Sequence, residues 1–164
     1  MRVYIPATFA MLETLEQSGE LPVRSGWGFA ATPELTEFFT SGDQEEIEMV
    51  AFDDAALASI RLLAIGDEEK FPHRRVVVSV DVDAEGHPEM GESVVKVSGP
   101  VQLEDVAAIH VDLEEAEEAT AAAIAQIDAA DLGDQDAELA IGDAQDYYLA
   151  FYDPSELPFL VELL

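Results

Sequence analysis

Between Arg75 and Asp83 the chain alternates, with Val76, Val78, Val80 and Val82 on one side and Arg75, Ser79, Asp81 and Asp83 on the other. A period of two identifies a β-strand with one face turned to a core. A lone strand leaves its backbone groups unpaired on both edges, so this segment commits the chain to a sheet. Val77 is the one apolar residue on the outer face.

Partners for that strand are legible on both sides of it. Arg2 to Pro6 alternates about Val3 and Ile5, and Trp27 to Ala31, Val106 to Val111 and Tyr147 to Tyr152 have β-branched or aromatic strand character. Across a Gly- and Pro-containing loop from Ala84 to Glu92, Ser93 to Ser98 is expected to form an antiparallel hairpin with the valine strand. Between the strands lie helix signals. Thr8 can cap a helix carrying Met11, Leu12 and Leu15 that stops at Gly19, and Thr32-Pro33 places proline at a first helical position. Asp43 with Glu46 forms a capping box before Ile47, Val50 and Ala51, and Asp53 or Asp54 is a candidate cap for a further segment ending at Gly66.

Asp112 with Glu115 reads as a second capping box, opening an alanine-rich helix whose apolar face runs from Ala116 to Ile127. An acidic stretch from Asp128 to Asp146 follows, with one helical turn expected around Ala137 to Ile141. Asp153-Pro154-Ser155-Glu156 starts a last helix, and apolar Leu157 to Leu164 should dock on the core. Two strand-helix-strand stretches therefore flank a central helix and hairpin. The predicted fold is α+β: a two-layer sandwich of a mixed, largely antiparallel sheet with helices packed on it, ferredoxin-like or a related plait. Residues 1–164 are expected to form a single acidic domain.

Charge narrows the function classes. Seven Lys and Arg face 36 Asp and Glu, a formal net charge of -29. Such a field repels phosphate, and Arg74-Arg75 is the only adjacent basic pair, so neither nucleic acid nor an anionic membrane surface is an expected partner. The same charge fits a DNA mimic, and it equally fits a solubilising surface. With no cysteine, thiolate metal sites and cysteine nucleophiles are excluded. Pro6 and Glu13 interrupt the N-terminal apolar run, and no stretch reaches the roughly 18 apolar residues of a membrane span, so a cytoplasmic setting is expected.

Several residues have chemistry that stands out. His110 and Asp112 share one strand face, where an imidazole and a carboxylate could bind a metal or share a proton, while the capping box already accounts for Asp112. Asp131 and Asp134 belong to an acidic run with calcium-like spacing. Started at Asp134, however, that run has Leu139 where the calcium loop needs glycine and Gln145 where it needs an acid. Weak divalent cation binding is the only cofactor chemistry expected. Arg2, Arg74 and Arg75, with Tyr4, are candidate ligands for an anion, or charged strand edges. Tyr148, with Tyr147, Tyr152 and Trp27, could line a pocket or an interface, or fill the core. Arg61, in an apolar helix, is expected to anchor an internal ion pair. Asp81 and Asp83 form a DxD pair, which on a wet sheet face needs no metal.

The strings MRVYIPAT, FAATPEL, ASIRLL, RRVVVSVDV, VAAIHVD, DAADLGDQDAELAIGDAQD and AFYDPSEL span nearly the whole chain. On these strings the chain resembles small acidic actinobacterial proteins grouped as a domain of unknown function. The resemblance implies a cytoplasmic actinobacterial setting and assigns no activity to any residue. The residues themselves favour a non-catalytic interaction or regulatory domain that meets a protein partner or its own copy. The alternatives are a metal-assisted hydrolase or small-ligand enzyme using His110 and nearby carboxylates, and an acidic DNA mimic.

Overall fold

In the computed structural model, which describes residues 1–39, 42–66 and 71–163, the valine alternation becomes the centre of the sheet. Strand β1 (Arg2–Ala7) leads through α1 (Phe9–Ser18) and the short β2 (Glu20–Leu21) to β3 (Trp27–Phe29). Then come α2 (Pro33–Phe38), α3 (Gln44–Ile65), β4 (Val76–Asp81), β5 (Ala84–Gly86), β6 (Val94–Val97) and β7 (Val101–Gln102). The chain ends with β8 (Val106–Asp112), α4 (Glu117–Asp131), α5 (Gln135–Gln145), β9 (Leu149–Tyr152) and α6 (Leu157–Glu162). Leu164, the last residue of the expected C-terminal helix, lies outside the described residues.

Seven of these strands pair in the order β5-β6-β3-β1-β4-β8-β9, every pairing antiparallel, while β2 and β7 pair separately. The α+β class and the largely antiparallel sheet with helices packed on it are as expected. Two details differ. Both edges of β4 are taken, by β1 (Ile5 opposite Val78) and by β8 (Ile109 opposite Val78), so Ser93–Ser98 does not form its hairpin there. Instead β5, in the segment read as loop, pairs with β6, and β6 with β3. The two strand-helix-strand units also end on adjacent antiparallel strands, β1 with β3 and β8 with β9, so the handedness rule for parallel crossovers does not govern their helices.

Helices lie on both faces of the sheet rather than forming the two layers expected. One face buries Val3, Ile5, Val76, Val78, Val80, Ile109 and Val111 against Phe9, Leu12 and Leu15 of α1 and Leu157 and Leu160 of α6. The other buries Tyr4 and Val77 against Leu35 of α2 and Ile47, Ala51 and Ala55 of α3. The physical reason is Val77: a central strand apolar on both sides needs two covers. Helices α4 and α5 then pack on α3 through Ile60, Ala123, Ile127 and Ala144.

Helix α3 is continuous, because neither Asp53 nor Asp54 leaves it to cap a second segment; Asp54 accepts a 2.6 Å hydrogen bond from Ser93 Oγ. Its sheet-facing residues are small, and Ser59 makes use of the close approach. Its hydroxyl donates to Ala7 O (2.8 Å) and accepts from Val76 N (3.0 Å), tying the helix to β1 and β4 at once. The caps at Thr8, Thr32 and Asp153 form as read, Asp43 caps α3 by accepting from Glu46 N, and Gly19 ends α1 with a left-handed φ of 75°. The acidic stretch is more ordered than one turn: Asp134 caps the eleven-residue α5 by accepting from Ala137 N.

Candidate functional site

The Asp112 capping box does not form. A short 3-10 turn from Glu114 to Ala116 follows β8 without a side-chain cap. Asp112 instead turns to Arg75. Arg75 Nε and backbone N each donate to Asp112 Oδ2 at 2.8 Å, and Nη2 donates to Oδ1 at 2.7 Å. Arg75 also donates from Nη1 to Gln145 Oε1 (2.7 Å) and from Nη2 to Tyr147 O (2.8 Å), and Thr120 donates to Asp112. The guanidinium is thus spent on internal partners, at 1% exposure, and it pins the C-terminal end of α5 and the Tyr147 backbone over the sheet. Arg75 is neither a strand-edge charge nor a free anion ligand.

This clamp helps to shape a cleft of about 830 Å³ on the α3 face of the sheet. Its floor comes from alternate residues of neighbouring strands: Tyr4 on β1, Ser79 on β4, Ala108 and His110 on β8, and Leu149 and Phe151 on β9. Its walls are Glu45, Glu48, Met49, Phe52 and Asp53 of α3 on one side and Gln145 to Tyr148 on the other. Rings meet edge to face along it, Tyr4 with Phe52 at 5.6 Å, Phe52 with His110 at 4.9 Å and His110 with Phe151 at 5.8 Å between centroids.

His110 Nε2 and Ser79 Oγ lie 2.8 Å apart; in the tautomer protonated at Nδ1, the hydroxyl donates to Nε2. Burial among the rings, with the nearby Arg2 charge, pushes the imidazole from 6.5 down to about 4, so it is neutral near pH 7. Ser79 and His110 have the spacing of a nucleophile and its base. Yet Ser79 is buried, and among the described residues no carboxylate hydrogen-bonds the ring, so the pair serves to fix the imidazole in the floor.

The cleft is negative at its rim. Arg2 is held by Asp81 at 2.8 and 3.2 Å and Arg75 by Asp112, and although the two arginines also act through space on Glu48 and Asp53, the carboxylates of Glu45, Glu48, Asp53 and Asp146 outnumber them along the cleft. Burial and the neighbouring Asp54 charge raise the Asp53 carboxyl, and burial with the Glu48 charge raises the Tyr4 phenol. Such a site suits a cationic group attached to an apolar body, because the rings supply dispersion and π-faces while the acids supply charge. A second depression, of about 560 Å³ between α4 and α5, is lined by alanines, carboxylates and Tyr147 and offers far less apolar wall.

Of the residues singled out in the sequence, Arg2, Tyr4, Arg75, His110, Tyr147 and Tyr148 come together in the cleft. Arg74 lies outside it, facing Glu117 at 3.4 Å. Asp131 pairs with Arg61 at 2.7 Å and Asp134 caps α5, so neither joins His110. The Arg61 ion pair is at the half-exposed surface, not internal. Among the described residues no group of three or more His, Asp or Glu could hold a metal ion. Tyr152 packs on the α1 core and Trp27 against His87, both away from the cleft. Ser79, Phe52, Phe151 and Glu48 were not legible as site residues; the signal for the covered face was Val77.

The chain matches, over residues 1–161, the family described as a family of unknown function (DUF6912). It belongs to that family. No curated protein and no solved structure matches this DUF6912 chain. The matched span includes every residue of the cleft. Among the described residues, no helix of the DUF6912 chain is long and apolar enough to cross a membrane.

Proposed function

We propose that this chain is a cytoplasmic, non-catalytic interaction domain that holds a partner protein at the acid-rimmed aromatic cleft. One observation carries the reading: Phe151 in the cleft floor and Tyr148 in its wall are 68% and 88% exposed, with Met49 in the other wall, and four carboxylates line the same cleft. Large apolar side chains gathered at a concave surface are the usual mark of a recognition site, and aromatic residues dominate binding energies there. The closed hydrogen bonding of Arg75 and Asp112 supports a binding role over a catalytic one, since it leaves those charges no freedom to act on a substrate.

The test is retention of partners from a native lysate by the wild-type chain and by Phe151→Lys, with the pure protein sized in parallel. Partners retained by the wild type and released by the variant support the reading. A set of partners unchanged by the variant sinks it.

A further inference from the structure

The cleft ends at β9, and β9 ends the sheet. Its backbone pairs with β8 on one side, from Ile109 opposite Tyr152 to Asp112 opposite Leu149. Among the described residues, no backbone hydrogen bond is made on its other side. Exposed edges are commonly protected by charge, proline or cover. The opposite edge strand, β5, is three residues long and carries Glu85. By contrast, β9 reads Leu149-Ala150-Phe151-Tyr152, without a charge or a proline, and its cleft-facing residues Leu149 and Phe151 belong to the floor just described.

We propose that β9 receives an extended basic segment of a partner protein as an eighth strand of the sheet. This rests on the reading of the cleft as the partner site and adds the mode and chemistry of binding. A strand laid on β9 at the usual spacing of about 4.8 Å continues the cross-strand row Val77, His110, Phe151 by one residue. Its side chains alternate, so every second one falls beside Phe151 and Tyr148 on the cleft face, where a Lys or Arg meets aromatic rings close to Asp146, while Glu45 and Glu48 on the far wall, over β1, add to the negative field. The remaining side chains fall on the α6 side of the sheet. Charge decides between occupants: a second copy of this chain would bring another -29 to the same edge, whereas a basic segment is attracted to it.

The experiment uses the full chain and three acetylated, amidated peptides of one composition: alternating Lys and Val, the same residues with the lysines grouped, and the alternating peptide N-methylated on alternate amides. Affinities are measured at about 0.15 M salt to suppress long-range attraction. Amide exchange of residues 149–152 is followed in parallel. The expected result is tightest binding by the alternating peptide, slowed exchange within β9, and a loss of about tenfold or more on N-methylation, because each methyl removes an edge hydrogen bond.

Equal affinity of the N-methylated or grouped peptide, unchanged exchange in β9, or no binding at all overturns the edge proposal. The Phe151→Lys variant separates this failure from that of the cleft reading. If N-methylation has no effect but Phe151→Lys abolishes binding, the edge proposal falls and the cleft reading stands. Should Phe151→Lys bind as the wild type does, both fall.

Discussion

Arg75 and Asp112 meet in a bidentate pair closed at 2.7 and 2.8 Å, with both side chains buried and with the Arg75 backbone N–H donating to the same carboxylate. The pair joins the start of β4 to the end of β8 and, through Gln145 and the Tyr147 carbonyl, holds the segment that forms one wall of the cleft. Removing one partner of such a pair leaves the other charge buried without compensation. Asp112→Asn should therefore lower the unfolding free energy by about 3–5 kcal/mol in urea titrations. The double variant Arg75→Met with Asp112→Leu should recover most of that loss, because it leaves neither charge behind. A double variant no better than the single one would mean that the pair contributes more than its charges.

Ser59 gives a smaller effect from a different cause. Its hydroxyl serves a carbonyl of β1 and an N–H of β4 in a fully buried position. Ser59→Ala keeps helix propensity and strands both backbone groups. The expected loss is about 1–3 kcal/mol, read by chemical unfolding. A neutral result would show that β1 and α3 relax enough to satisfy those groups elsewhere.

Much of the fold was legible because its signals are local. Thr8, Thr32, Asp43 and Asp153 cap helices whichever way the sheet is ordered, and the alternation about Val78 marks a strand in any topology. Asp112 was misread for the same reason. A carboxylate three residues before Glu115 satisfies the capping pattern, but Arg75, 37 positions earlier, binds it across a strand pairing that no local pattern encodes. Of the cleft, the sequence offered Arg2, Tyr4, Arg75, His110, Tyr147 and Tyr148 as separate candidates. Their convergence depends on the order β1-β4-β8-β9, and Phe52 and Ser79 become wall and floor only once α3 lies across that face.

His110 ties the cleft to pH. Its folded-state value is pushed down to about 4 against 6.5, so the unfolded chain binds the proton more readily. The neutral imidazole's contribution is fully present above about pH 6.5 and is lost as pH falls towards 4, by about 2 kcal/mol once partial solvent exposure is allowed for. Protonation of the many surface carboxylates relieves repulsion over the lower part of this range, so the comparison must be with His110→Gln, which lacks the titration. The difference in stability between wild type and variant should shrink from pH 7 to pH 4, and the His110 ring resonances should titrate well below 6.5. A ring that titrates at 6.5 would place it in water.

The net charge predicts the response to salt. Exposed ion pairs such as Arg2 with Asp81 and Arg61 with Asp131 contribute little and are weakened by salt. Against them stands repulsion among 36 acids answered by seven basic residues, which destabilises the folded chain. Screening therefore relieves more than it removes, and the melting temperature should rise with potassium chloride, most steeply while the Debye length falls to about 8 Å near 0.15 M. A fall in melting temperature over that range would show that attractive pairs outweigh the repulsion. The Arg75–Asp112 pair lies beyond the reach of counter-ions, at 1% and 0% side-chain exposure. The stability difference between wild type and Asp112→Asn should then stay nearly constant as salt is added, even while the stability of each rises, because salt acts on the field around the protein and not on a charge sealed inside it.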